Sequence, residues 1–149
     1  MKKFAILLVF CLCLLPVLSG CGGGRMTEKN KLIAISSPGD NHGSNLNIMT
    51  DRLADLCTEG GYRLHYEMSH LMPEVQNAQL KNMTCDHPSA YVIAWPEDAD
   101  VKCFAGKKAV QATGVPVILM DLEAAEADPE AEAQRLYAEV VQVAGENRI

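Results

Sequence analysis

The sequence predicts an α/β fold, a single three-layer lobe on a mostly parallel four-stranded sheet. Three observations carry that expectation. Short apolar runs that suit buried strands alternate with stretches whose apolar residues recur at helical spacing. Clusters of Gly, Pro, Asn and Asp punctuate the junctions between them. The chain has 149 residues, 48% of them apolar, with a mean hydropathy of +0.01. That suits one packed domain rather than a disordered chain.

The first twenty residues stand apart from the fold. Met1-Lys2-Lys3 is a short positive start, and Phe4 to Leu18 then runs almost wholly apolar, broken by Pro16. Such a run is short for a membrane span and right for the apolar part of a secretory signal. It ends in Leu18-Ser19-Gly20-Cys21, which resembles a bacterial lipobox. The resemblance implies that residues 1–20 are a signal peptide, cut before Cys21, and that the Cys21 thiol carries a diacylglyceryl group. Gly22-Gly23-Gly24 follows as a flexible tether, so residues 21–30 link the lipid to the fold. Two or more acyl chains hold a protein stably on a bilayer. The expected location is the extracytoplasmic face of the cell membrane, by lipid anchor.

The elements follow in order. Lys31 to Ser36 is an apolar run fit for a buried strand, and the turn formers Ser37-Pro-Gly-Asp-Asn-His-Gly43 come next. Ser44 is a suitable cap for a helix carrying Leu46, Met49, Leu53, Leu56 and Cys57 at the helical period, ending at Gly60-Gly61. Tyr62 to Glu67 alternates Tyr62, Leu64 and Tyr66 with Arg63, His65 and Glu67, the pattern of an edge strand. Pro73 opens a helix to about Met83. Ala90 to Trp95 is the third strand, followed by the acidic turn Pro96 to Asp100. Asp100 is the expected cap of a third helix with Val101, Phe104, Ala105, Ala109 and Ala112 on one stripe, stopped by Gly114. Val115 to Met120 is the fourth strand. Residues 123–128 read as an acidic loop, and Asp128-Pro129 opens a last helix with Ala133, Leu136, Tyr137, Val140, Val141 and Ala144 as its stripe.

This order implies helices on both faces of the sheet. With the flavodoxin-like strand order 2-1-3-4, crossovers reverse direction between the first and third strands. Ligands of open α/β sheets bind there, beyond the carboxyl ends of the strands. The residues at those ends are Ser36, Ser37, Asp40 and Asn41, then Trp95, Glu97 and Asp98, then Asp121. Carboxylates and amides pair with sugar hydroxyls, and an indole covers the apolar side of a pyranose. The same residues also serve simply as caps and turns.

Several function classes fall away. Thirteen Lys+Arg against 19 Asp+Glu give a net charge of −6, which becomes −8 once Lys2 and Lys3 are cleaved off. No clustered positive surface is visible, so nucleic acid is not an expected partner. Cys57, Cys85 and Cys103 cannot all pair within one chain, and they read as small packing residues. His65, Glu67 and His70 lack a recurrent ligand spacing, so no metal is expected, and the histidines read as solvated surface. No nucleophile elbow or Walker lysine is present. No cofactor is expected, and enzyme function is the least favoured class.

Residues 31–122 resemble the N-terminal lobe of ribose-binding-like (type I) periplasmic binding proteins. The resemblance lies in KLIAISSPGDN, the helix ahead of GGYRLHYE, YVIAWPEDAD and AVQATGVPVILMD, in that order. It implies a lobe that closes on sugars or related solutes and delivers them to an ABC importer, with Asn41 and Asp121 at the family's loop Asn and strand-end Asp. The departures are specific. His42, Gly43 and Ser44 follow Asn41 where the family has Pro and bulky aromatics, and Leu122 follows Asp121 where sugar binders have Arg.

The family also has a second lobe, and this sequence carries one lobe and a further C-terminal segment, residues 123–149. The leading reading is therefore a membrane-anchored solute-binding-protein-like lipoprotein, a truncated or split component of an ABC importer. Its expected partners are an ABC permease or a separately encoded second lobe. Half a clamp leaves a ligand largely unenclosed, so weak or no solute binding by the monomer is expected. The alternative is a lipid-tethered interaction module that uses the fourth-strand edge to bind a protein or itself.

Overall fold

The computed structural model describes residues 31–39, 44–96, 99 and 104–146. The lipobox and Cys21 lie outside the described residues. Strand β1 (Leu32–Ser37) leads to helix α1 (Asn45–Glu59), whose N-cap Ser44 accepts the Asn47 amide at 3.3 Å. Strand β2 (Arg63–Met68) and helix α2 (Pro73–Met83) follow, with Pro73 in the first helical turn, where its missing N–H costs nothing. A 3-10 turn (Thr84–Asp86) then leads into β3 (Ala90–Ile93). Helix α3 (Ala105–Ala112), strand β4 (Val117–Leu119), helix α4 (Leu122–Ala127) and helix α5 (Pro129–Glu146) complete the fold.

The four strands are parallel, as the alternation of elements predicts, and their order is β2-β1-β3-β4, the flavodoxin-like one. Side-chain alternation sorts the core into two layers. Ile33 and Ile35 of β1 and Val92 of β3 face α1, α4 and α5, against Met49, Leu53, Cys57, Ala125, Leu136 and Val140. Ala34, Tyr91 and Ile93 face α2 and α3, against Leu80, Met83 and Val110. β1 and β3 are almost continuously buried, as expected of central parallel strands covered on both faces.

The structure corrects the sequence expectation at several boundaries. The second strand begins at Arg63, because the Tyr62 amide donates to Cys57 O at 2.9 Å and belongs to the helix exit. The fourth strand is trimmed to three residues. Pro116 lacks a ladder donor, although its carbonyl accepts the Tyr91 amide at 2.9 Å.

The segment read as an acidic loop is helical as α4. Asp121 Oδ1 caps it, accepting the amides of Glu123 and Ala124, both at 3.0 Å. On α3 the buried positions are Gly106 and Val110, whereas Ala105 and Ala109 are half-buried and Ala112 is exposed. Asp100, Val101 and Cys103 lie outside the described residues. On α5, Ala133, Leu136, Val140 and Ala144 are buried, but Val141 is 43% exposed. Cys57 packs in the core as expected, whereas Cys85 is exposed. Among the described residues no helix is long and apolar enough to cross a membrane.

Candidate functional site

The reversal between β1 and β3 lies where the sequence places it, and its floor is held by Gln76 of α2. That side chain is 1% exposed. Its Nε2 donates to Ser36 Oγ at 3.2 Å and to Ala94 O at 2.7 Å, so one amide ties the ends of β1 and β3 together. The Ala94 amide donates in turn to Ser36 O at 3.3 Å. Gln76 was not singled out by sequence, since a Gln within a weak helix carries no distinguishing signal.

Four of the predicted rim residues are described, and they do not converge as one set. Ser36 and Ser37 are fully buried. Ser36 Oγ is taken by Gln76, and Ser37 Oγ accepts the Gly39 amide at 3.3 Å. A buried polar group needs its partners inside the fold, so these hydroxyls shape the floor of the rim and do not present to solvent. Trp95 packs partly buried against the α2–α3 layer, with Lys107 Nζ 5.5 Å from its ring centroid. Asp121 lies at the end of β4, exposed, and caps α4. Asp40, Asn41, Glu97 and Asp98 lie outside the described residues.

Asp121 is fixed by an ion pair between buried Glu132 and exposed Arg135 that spacing alone did not reveal. Its amide donates to Glu132 Oε1 at 2.9 Å. Glu132, on the first turns of α5, is 3% exposed and bonded twice by Arg135, at 2.6 Å and 2.5 Å. Arg135 Nη2 also donates to Leu119 O at 3.0 Å, and Nη1 donates to Glu139. The hydrogen bond to Glu132, with the charges of Glu132 and Glu139, pushes the Arg135 guanidinium still further above its ordinary range. Together Leu119, Met120, Asp121, Leu122, Glu123 and Arg135 line an open cleft of about 650 Å³ at the carboxyl end of β4. Two carboxylates and a guanidinium beside two leucines are a combination suited to a polar, hydroxyl-bearing solute with an apolar face.

The histidine expectation is corrected at His65. Its Nδ1 lies 2.5 Å from Asp86 and its Nε2 3.2 Å from Glu67, so the partly buried ring sits between two carboxylates. Each nitrogen serves a different acid, an arrangement that fixes the ring but does not gather ligands. Among the described residues no group of three or more His, Cys, Asp or Glu is placed to hold a metal ion.

No family model matches the chain, and no curated protein is similar to it in sequence. Among solved structures it is similar to an ABC transporter solute-binding protein from Agrobacterium vitis with bound allitol, at a TM-score of 0.55 and 15% identity. The match covers 80% of this chain and 53% of that one. The chain thus has a binding-protein-like fold, and it spans about half the length of the solved protein that it resembles.

Proposed function

We propose that this chain is the solute-binding-protein-like lobe of a membrane-anchored lipoprotein, serving an ABC importer for a sugar, polyol or related small solute. The observation that carries the reading is the β2-β1-β3-β4 sheet, with its crossover reversal bolted by Gln76 and polar side chains at the strand ends. The fold likeness to a solute-binding protein supports it. In this reading Asp121 and Trp95, with Asp40, Asn41, Glu97 and Asp98, contact the solute. Ser36 and Ser37 act one layer below, by holding the floor. The carboxylates accept hydrogen bonds from hydroxyls, and the partly exposed indole covers an apolar C–H face. A second lobe completes the enclosure, and an ABC permease receives the solute. No chemical step is assigned to the chain.

A single lobe encloses a solute on one side only, so affinity is expected in the millimolar range. Calorimetric titration of the detergent-solubilised chain with pentoses, hexoses and linear polyols tests this. Saturable heat with at least one solute, weakened at least threefold in Trp95→Ala, is the expected result. Heats indistinguishable from dilution across the panel would overturn solute contact by this lobe's own rim.

A second reading, a tethered interaction module, is favoured by the sheet edge at β4. Leu119 is 52% exposed there and Leu122 44%. It predicts concentration-dependent self-association in sedimentation, which Leu119→Lys abolishes.

A further inference from the structure

A chain of polar side chains runs between edge strand β2 and α2, from the 3-10 turn at the exit of α2 to the carboxyl end of the strand. Asp86 of the 3-10 turn meets His65 Nδ1 at 2.5 Å, and His65 Nε2 meets Glu67 Oε1 at 3.2 Å. Glu67 Oε2 accepts from Gln79 Nε2 at 3.3 Å, and the same nitrogen donates to Met68 O at 3.1 Å. The chain thus ends on the last residue of β2.

Beyond that residue the backbone makes a strained turn. His70 and Leu71 have φ of 52° and 59°, a region that residues other than glycine seldom occupy. Such a turn persists only where its surroundings hold it. Leu71 is 62% exposed and contributes little packing. Hydrogen bonds do the holding: the Ser69 amide donates to Ser37 O at 3.0 Å and the Leu71 amide to Pro38 O at 2.7 Å. Gln79 adds its bond to Met68 O at the turn's entrance.

His65 is the member of the chain that can change state. A neutral imidazole has one N–H and the charged ring has two, so donating to both carboxylates requires the charged ring. Burial opposes that charge, but the hydrogen bonds to Asp86 and Glu67, and the charges of both acids, outweigh it and raise the pKa. On β1 its register partner is Ala34, and α2 sets neutral Gln79 into the chain. Arg63 stands two positions back on the same face of β2, and exposed Cys85 and His87 flank Asp86. Glu74 and Lys81 lie in the first and last turns of α2, and exposed His70 lies in the strained turn. When the ring loses its proton, one nitrogen turns a lone pair on a carboxylate. Asp86 is the closer acid, and Glu67 has Gln79 as a second donor, so Glu67 is the one released. Because Gln79 Nε2 is shared, a Glu67 that moves away draws it off Met68 O.

We propose that His65 is a proton-operated latch on the β2–α2 turn: the charged ring holds Glu67 and braces the turn, whereas the neutral ring keeps Nδ1–H on Asp86, frees Glu67 and slackens the turn. The turn borders the proposed solute rim through Ser37 and Pro38, and the latch operates whether or not a solute binds there.

The ¹⁵N-labelled full chain in detergent micelles, titrated upward from about pH 5.5 until the His65 ring shifts are complete, tests this. The ring nitrogens should show the Nδ1–H tautomer at the end of the titration. Amide protection of Ser69 and Leu71, corrected for the intrinsic rise of exchange with pH, should fall about threefold or more, and that of Met120 on β4 should change less. In Glu67→Gln the ring should still titrate against Asp86, but protection at Ser69 and Leu71 should no longer follow it. In His65→Gln neither amide should respond to pH. The proposal is overturned by an Nε2–H tautomer, by constant protection in the wild type, or by a fall that survives in Glu67→Gln, which would assign it to His70.

Discussion

At His65 the burial of the ring works against its positive charge, but hydrogen bonds to Asp86 and Glu67, and their charges, outweigh it and raise the pKa above 6.5. A group whose pKa is raised by folding binds its proton more tightly in the native state. Its stabilisation is complete below the unfolded value of 6.5 and is lost as pH rises through the higher folded value. Melting temperature should therefore fall as pH rises above about 6.5, and in His65→Gln that part of the slope should vanish. A variant with the same slope as wild type would show that the two acids do not favour the charged ring. The acids come from the edge strand and the 3-10 turn, so the contact pins β2 to the exit of α2. Nothing in the spacing of His65 and Glu67 announced this, because Asp86 joins them only through the fold. Glu132 is a similar case: its neighbours suggest a solvated helix face, and only the tertiary contact with the Asp121 amide explains its burial.

Helix boundaries were legible wherever the cap was local. Ser44 and Pro73 mark the starts of α1 and α2 in sequence and in space, since each acts on its own first turn. α3 is different. The residue before it, Phe104, offers no side-chain cap, and the Gly106 amide instead donates to Asn77 Oδ1 on α2. A cap supplied by another helix leaves no local trace. It also requires close approach: a Cβ on Gly106 would sit 3.1 Å from the Asn77 Cα and carbonyl oxygen and from Leu80 Cβ. These are mostly backbone atoms with little freedom to yield. Gly106→Val should therefore lower stability by about 1–3 kcal/mol through overpacking, read as a shift in the denaturation midpoint at unchanged slope. An unchanged midpoint would mean that the two helices separate easily. The same approach explains the turned phase of α3, whose small face at Gly106, rather than its alanine stripe, meets α2.

For the whole molecule, the alternation of apolar runs and helical spacing was enough to anticipate a mostly parallel four-stranded sheet, and the flavodoxin-like order supposed for it is the one observed. Parallel strands need crossover connections, and few arrangements of four satisfy that rule. The rim was only partly legible. Strand-end positions follow from the order, but which hydroxyls turn inward depends on a buried amide from another element, as with Ser36. The proposed anchor belongs to this scale as well, because it would set where the entire lobe works. If Cys21 carries lipid, Cys21→Ala should move the protein from the membrane fraction to the soluble one once the leader is cleaved, or leave it uncleaved and slower on a gel. Unaltered mobility and sedimentation of this variant would remove the lipid from the account.

Gln76 has a consequence for any molecule that settles at the crevice. Its single carboxamide works like a staple across two strand tips, holding them against splaying before anything arrives. In the proposed role, an incoming guest would meet a landing already set, and the entropy of capture would be concentrated in the proposed second lobe.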